Sequence, residues 1–251
     1  MVLTITGNGV EGETTWTLDE LQALVDGYQE NIYSTTNNWP NFGHAEAHGV
    51  SLPYLLSQAG VRSGASGIKF ISTDGYNTTL TYNQVFRPLY SYSNHNAAAS
   101  SGASRVEPVV AWVWGDVGKT RQENIRLYIG QSSHWEVNTM SFVTDLCRIE
   151  VSTVSAGSWA VPSASVTDGS EVPSGTEFAF THDAIDNIRI YYTVDGSEPD
   201  VNSRVYNPST SYFQPHLTVP LVLTESVTIK AFAAGLGREA SPVVTFDITV
   251  T

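Results

Sequence analysis

Lysine is scarce in this chain of 251 residues: Lys69, Lys119 and Lys230 are the only three. With arginine they make 12 basic residues against 25 acidic ones, a formal net charge of −13. Nucleic-acid binding needs clustered Lys and Arg to displace counterions, and the sequence has no such cluster, so nucleic acid is excluded as a partner. An anionic membrane surface would repel the chain for the same reason. No apolar run approaches the ~20 residues of a membrane span, so membrane insertion is not expected. Cysteine is nearly absent. Cys147 stands alone, which rules out an internal disulfide or a Cys-rich metal site and makes it a small buried apolar side chain. The Gly-x-Ser-x-Gly elbow, the GxxxxGK[ST] phosphate loop and HExxH are all missing.

What is present is a core's worth of apolar residues, 41% of the chain, with few charges, 15%, and abundant Ser, Thr and Asn. This acidic, lysine-poor and almost cysteine-free composition suits an exported bacterial protein, so the expected location is extracellular or the cell surface. The opening Met1-Val2-Leu3-Thr4-Ile5-Thr6 alternates like a strand and carries no signal-peptide pattern. The expectation is a sequence that starts at its mature domains.

The C-terminal third has the clearest local pattern. Ile188, Ile190 and Tyr192 alternate with Arg189, Tyr191 and Thr193, and Asp195-Gly196 follows. That is a strand entering a turn, because Asp and Gly tolerate positive φ. Pro199 blocks further pairing. Val227, Ile229 and Ala231 alternate with Thr228, Lys230 and Phe232 as a second strand. The Tyr191-Tyr-Thr-Val-Asp-Gly-Ser-x-Pro turn and the Val227-Thr-Ile-Lys-Ala-Phe-Ala strand resemble the Ig-like module at the C-terminus of chitobiase and β-hexosaminidase enzymes, over about residues 161–250. The resemblance implies an all-β Ig-like sandwich. Small residues at 152–158 read as a short linker, with few contacts expected across it.

The N-terminal part mixes strands and helices. Strands are expected at 3–6, 68–72, 78–82, 109–114, 125–129 and 146–151. Thr17-Leu-Asp-Glu20 is a capping box, and Leu18, Leu21, Leu24 and Val25 make an apolar helical face that Gly27 ends. Ser51 opens a second helix, with Leu52, Leu55, Leu56 and Ala59 inward and Gly60 at its end. Residues 91–104, rich in Ser, Ala and Asn, are expected to be a long exposed loop.

Gly49-Val50-x-Leu52-x-x-Leu55-Leu56 and the Ser72-x-Asp74-Gly75-Tyr76 turn, in this order of elements, resemble the molybdopterin-binding domain of the sulfite oxidase superfamily, over about residues 2–151. The expected fold class is therefore α+β, with mixed sheets and a few helices, followed by the all-β sandwich. The expected boundaries are 1–151, a linker at 152–159, and 160–251. In that family a cysteine thiolate binds molybdenum, in a Cys-x-x-Asn pattern. The matching stretch here is Ser34-Thr35-Thr36-Asn37, and hydroxyl is a poorer ligand than thiolate for a soft metal. The arginine that follows in the family is replaced by Asn38. By this resemblance Ser34, Asn37, Asp74 and Tyr76 mark the cofactor pocket.

His44-Ala-Glu46-Ala-His48 offers three metal ligands that an extended chain points to one face, a set suited to zinc, with His95 or His134 as a fourth. The alternative is a polar loop. Asp195, Glu198 and Asp200 offer hard oxygens for calcium, the alternative being a solvated turn. Trp39, Phe42, Tyr90, Tyr92, Trp112, Trp114 and Trp135 supply aromatics near loops, suited to sugars or protein partners. Trp112 and Trp114 share a strand face and are expected in the core.

Three functions compete. The first is an exported, non-catalytic binding protein that keeps the molybdopterin-domain fold without the metal-ligand cysteine. The second is a working molybdopterin-dependent oxidoreductase. The third is a carbohydrate-binding accessory protein. Ser34 favours the first, with no cofactor expected and with a carbohydrate or a cell-envelope protein as partner.

Overall fold

Strand pairing organises the chain, in a computed structural model that describes residues 2–93 and 102–251. The first part runs β1 (Val2–Thr6), β2 (Thr14–Thr17), α1 (Leu18–Gln22), β3 (Tyr28–Thr36), β4 (Phe42–Ser51), α2 (Leu52–Gln58), β5 (Gly67–Ser72), β6 (Asn77–Thr81), α3 (Tyr82–Phe86), β7 (Leu89–Tyr92), β8 (Ala103–Val106), β9 (Val109–Gly115), β10 (Arg121–Tyr128) and β11 (Leu146–Ser152). It makes a five-stranded sheet β2-β1-β11-β5-β6, a four-stranded sheet β10-β9-β4-β3 and the pair β7–β8. Leu3, Ile5, Phe70 and Ile149 of the first sheet pack with Tyr33, Val50, Val110 and Leu127 of the second, and Leu52, Leu55 and Leu56 of α2 join them in one core. The molecule is mostly β, with few and short helices. Among the described residues no helix is long and apolar enough to cross a membrane.

The capping signals place both expected helix starts, and Gly60 marks the end of the second helix, but the first helix ends early. Thr17 and Glu20 form the reciprocal box, but α1 stops at Gln22 and Val25 is 73% exposed. Only Leu21 of this helix is buried. The chain must instead turn so that Tyr28 can pair with Val50, and Gly27 lies so close to the Tyr54 ring that a Cβ would collide with it. Ser51 caps α2, and Gly60 ends it with φ +67°. The strand expected at 78–82 ends at Thr81, because Thr81 and Gln84 form a second capping box that opens α3. The segment 91–104 is no simple loop: Ser91 and Tyr92 pair with Ser104 and Ala103. Its middle, 94–101, lies outside the described residues.

The second part runs β12 (Ser163–Ala164), β13 (Glu171–Val172), β14 (Thr176–Phe178), β15 (Phe180–Thr181), β16 (Arg189–Thr193), β17 (Arg204–Tyr206), β18 (Leu221–Leu223), β19 (Val227–Ala234) and β20 (Val244–Val250). Its main sheet is β13-β20-β19-β16-β17, with the pairs β12–β15 and β14–β18 beside it. The two runs singled out in the sequence become β16 and β19, paired antiparallel with Ile190 opposite Ala233. Phe178, Phe180, Ile190, Ile229 and Phe246 form a separate core. Gly196 takes φ +75° in the turn after β16.

Alternation in β16 does not separate a buried face from an exposed one: Arg189 and Tyr191 are 0% and 1% exposed. Their face packs against the first part, so this strand is buried on both sides. Arg189 Nη2 donates to the Asn37 carbonyl at 2.7 Å, and its Nη1 donates to Asn207 Oδ1 at 3.2 Å. Tyr191 Oη and Ser133 Oγ lie 2.5 Å apart. The Gln84 amide donates to the carbonyls of Gly235 at 2.9 Å and Arg238 at 2.7 Å, and Leu236 enters the core of the first part. Contacts across the junction are therefore many, not few. Burial holds the Arg189 guanidinium below its usual range, at about 10.

Gly49 sits where the β4–β9 register slips, and a Cβ there would lie 2.1 Å from the Val110 carbonyl oxygen. Gly49→Ala is expected to destabilise by at least about 1–3 kcal/mol in urea unfolding, whereas Gly12→Ala, with open space around it, should stay within about 0.5 kcal/mol of the parent. Arg189→Ala should lower stability by about 2 kcal/mol or more, since it leaves a cavity and an uncapped Asn37 carbonyl.

Candidate functional site

The β3–β4 pairing builds the site. Register sets Glu30 opposite His48, Ile32 opposite Glu46 and Ser34 opposite His44. The two-residue period of a strand puts all six on one face, away from Tyr33 and Ala47, which are buried in the core. Over this face and the β7–β8 pair lies a cleft of about 590 Å³, walled by Glu30, Ile32, His44, Glu46, His48 and Tyr92 among others.

His48 sits between two carboxylates. Its Nε2 is 2.8 Å from Glu46 Oε1, and its Nδ1 is 3.9 Å from Glu30 Oε1. Glu46 Oε2 accepts from the Gly118 N–H at 2.7 Å. That backbone bond first, and the His48 contact second, hold the Glu46 carboxyl below its usual range. Tyr28 donates to Glu30 Oε1 at 2.7 Å. Burial first, and this bond second, push the Tyr28 hydroxyl up to about 12. His44 turns elsewhere: its Nε2 lies 2.9 Å from the Tyr92 carbonyl. The strand thus brings the three expected metal ligands to one face, but Glu46 and His48 bond to each other while His44 bonds to Tyr92. Among the described residues no group of three His, Cys, Asp or Glu side chains is placed to hold a metal ion. His95 lies outside the described residues, and the His134 ring packs against Tyr92 and Trp135.

Ser34 lies in the same row but is fully buried. Its hydroxyl donates to Gln131 Oε1 at 2.5 Å and accepts from the Tyr92 N–H at 2.9 Å. Gln131, also fully buried, donates to Thr36 Oγ1 at 3.0 Å and to the Glu136 carbonyl at 2.7 Å. Asn138 donates to the Ser34 carbonyl at 2.9 Å. β7 and the 131–138 segment thus close over Ser34, the residue that the resemblance would match to the family's thiolate. A ligand atom must face open volume, and this one faces an amide and a backbone N–H. The residues present do not fit a molybdenum–pterin group bound there.

The other pocket residues carried over from the family are not gathered around Ser34. Asn37 caps its own turn, accepting from the N–H groups of Trp39 and Asn41 at 3.0 and 2.9 Å. Asp74 and Tyr76 sit at the β5–β6 turn of the other sheet, where Asp74 Oδ1 accepts from the Tyr76 N–H and Tyr76 donates to the Met140 carbonyl at 2.6 Å. In the calcium candidate, Asp195 accepts from Ser197, Glu198 pairs with Lys230, and Asp200 accepts from the Asn202 N–H. Cys147 is half-buried rather than buried, because the register shift beside Leu146 leaves it on the outer face of β11. Trp112 is buried, and Trp114 packs against the core under Arg126, 4.8 Å from the ring centroid.

Sequence reasoning passed over Gln131, Glu136, Tyr28 and Glu30. Glu136 is 3% exposed and accepts from Arg87 at 2.5 Å and from the Ser132 N–H at 2.7 Å. No spacing rule links Arg87 to Glu136 or Ser34 to Gln131. Only the β3–β4 register could have added Glu30 to the His-Glu-His row.

Residues 180–248 match the family model described as Fn3 associated, and this match falls within the second part only. Among curated proteins none matches the chain. The sulfane dehydrogenase SoxCD from Paracoccus pantotrophus is similar over 96% of this chain and 68% of its own, at 12% identity and a TM-score of 0.44. The BSP domain of a biofilm associated protein is similar over 89% of this chain and 29% of its own, at 12% identity and a TM-score of 0.24. Both scores are too low to carry an argument about fold or activity.

The Glu46 bonds set an acid limit. A carboxyl lowered on folding adds stability that is fully present above its unfolded value of 4.5 and is lost as pH falls through the folded value below that. Glu46→Gln should therefore flatten the loss of stability below pH 4.5, measured by urea midpoints across the acid range. Parent-like acid dependence in this variant would remove the role assigned to the Gly118 and His48 bonds.

Proposed function

We propose that this chain is an exported, cell-surface or secreted binding protein without redox chemistry. In this reading residues 1–151 keep a molybdopterin-domain plan of the sulfite oxidase type and lack its metal-ligand cysteine, and residues 160–251 form an Ig-like β-sandwich module. The exported location rests on composition: net charge −13, three lysines and one cysteine.

One observation carries the reading: the Ser34 hydroxyl is spent on Gln131 and on the Tyr92 N–H in a fully buried position. A neutral hydroxyl of high pKa, already bonded as donor and acceptor, has neither the charge nor the access that metal ligation requires. A carbohydrate-directed version of the same reading is favoured by Trp39 and Tyr212, which are 52% and 80% exposed and could stack on sugar rings.

Protein purified from a host that makes molybdopterin is expected to contain no molybdenum by elemental analysis. Ser34→Cys should recover none, because Gln131 and β7 still fill the space. It should also lose stability by about 1–3 kcal/mol through weaker bonds to Gln131 and Tyr92. Stoichiometric molybdenum in the parent would make the oxidoreductase reading the leading one.

A further inference from the structure

The cleft over β3 and β4 has a chemistry of its own. Its walls carry two carboxylates, Glu30 and Glu46, and the described residues lining it include no Lys or Arg. Both imidazoles are already directed at protein acceptors: His48 lies between the two carboxylates, and His44 lies against the Tyr92 carbonyl. What the cleft offers a ligand is therefore mainly acceptor oxygens, the ring of Tyr92, and the hydroxyls of Ser93 and Ser104. Such a set asks for a ligand rich in donors. A cation adds Coulomb attraction to each bond and draws on ring faces as well. A net charge of −13 reinforces this, because a cleft of one sign concentrates counter-charged ligands. Size excludes a bare ion as the natural occupant: about 590 Å³ is within the range of small-molecule sites, and no three ligating side chains converge among the described residues. Glu30, with its side chain 60% exposed, marks the mouth, and Glu46, at 23%, lies deeper.

We infer that this cleft takes an organic cation, a primary ammonium or guanidinium group carried on a flexible chain. The inference rests on reading the first part as a binding unit. The group could come from a free polyamine or from a Lys or Arg side chain of a peptide. The two carboxylates would hold it by charge-assisted bonds, with the Tyr92 ring alongside.

Calorimetric titration of the full chain tests this with four probes: spermidine, an end-capped Gly-Arg-Gly peptide, cellotriose and zinc chloride. One or both cationic probes should bind, and binding should weaken as salt is raised. Preference for spermidine or for the peptide identifies the source of the cation. Glu30→Gln should weaken binding about tenfold, the scale of one charge-assisted bond. Ile32→Lys breaks no hydrogen bond, because Ile32 is a 44% exposed apolar side chain on the cleft wall. It sets a fixed cation inside and should abolish binding, while thermal unfolding confirms that the fold is intact. Equal binding by the parent and Ile32→Lys would overturn the inference, as would no binding of either cationic probe. Binding of cellotriose or zinc alone would overturn it too, while leaving the reading as a binding protein standing. Molybdenum analysis of the same sample tests that reading separately.

Discussion

The antiparallel pairing of β3 with β4 is the constraint on which the rest depends. It runs from Tyr28 opposite Val50 to Thr36 opposite Phe42 without a slip. Because a strand alternates faces, this single register sorts two populations of side chains. Tyr33 and Ala47 go into the core, and Glu30, Glu46 and His48 go onto the wall of a cleft. A shift by one residue would bury the carboxylates and expose the core. Gly49 protects the register on the β9 side, where the backbones approach too closely for any side chain.

The Ser34 network shows how a buried polar row is kept. Ser34, Thr36, Gln131 and Asn138 are all essentially inaccessible, and an unmade hydrogen bond in such a place costs about 1–3 kcal/mol. Each is answered by another member or by backbone. The network ties β3 to β7 and to the 131–138 segment, so it forms the floor beside the cleft.

Much of the fold was legible because it depends on local chemistry. Capping residues at Thr17 and Ser51 and the glycines at 60, 75 and 196 fix helix starts and turns wherever they occur. The two motif strands of the second part were each legible for the same reason, and their pairing came only with the fold. The length of α1 was not legible, since it is set by where β3 must begin. The burial of the second face of β16 was not either: nothing local to Arg189 and Tyr191 shows that another surface is laid against them. In the cleft, the His44-Glu46-His48 row was visible from spacing, but its partners were not. Glu30 enters only through register, Gly118 through the β9–β10 turn, and Gln131 from nearly a hundred residues away.

The doubly covered β16 bears on what counts as a unit here. The recurrent segment at 180–248 is the piece that shares its pattern with other proteins. Its strand β16 nevertheless carries a guanidinium whose hydrogen bonds reach Asn37 and a tyrosine that meets Ser133. Transplanted alone, that segment would present to water a surface shaped for solvent exclusion, and the loop it leaves behind would lose its donor. The border of the shared pattern and the border of the packed surface fall in different places along this chain.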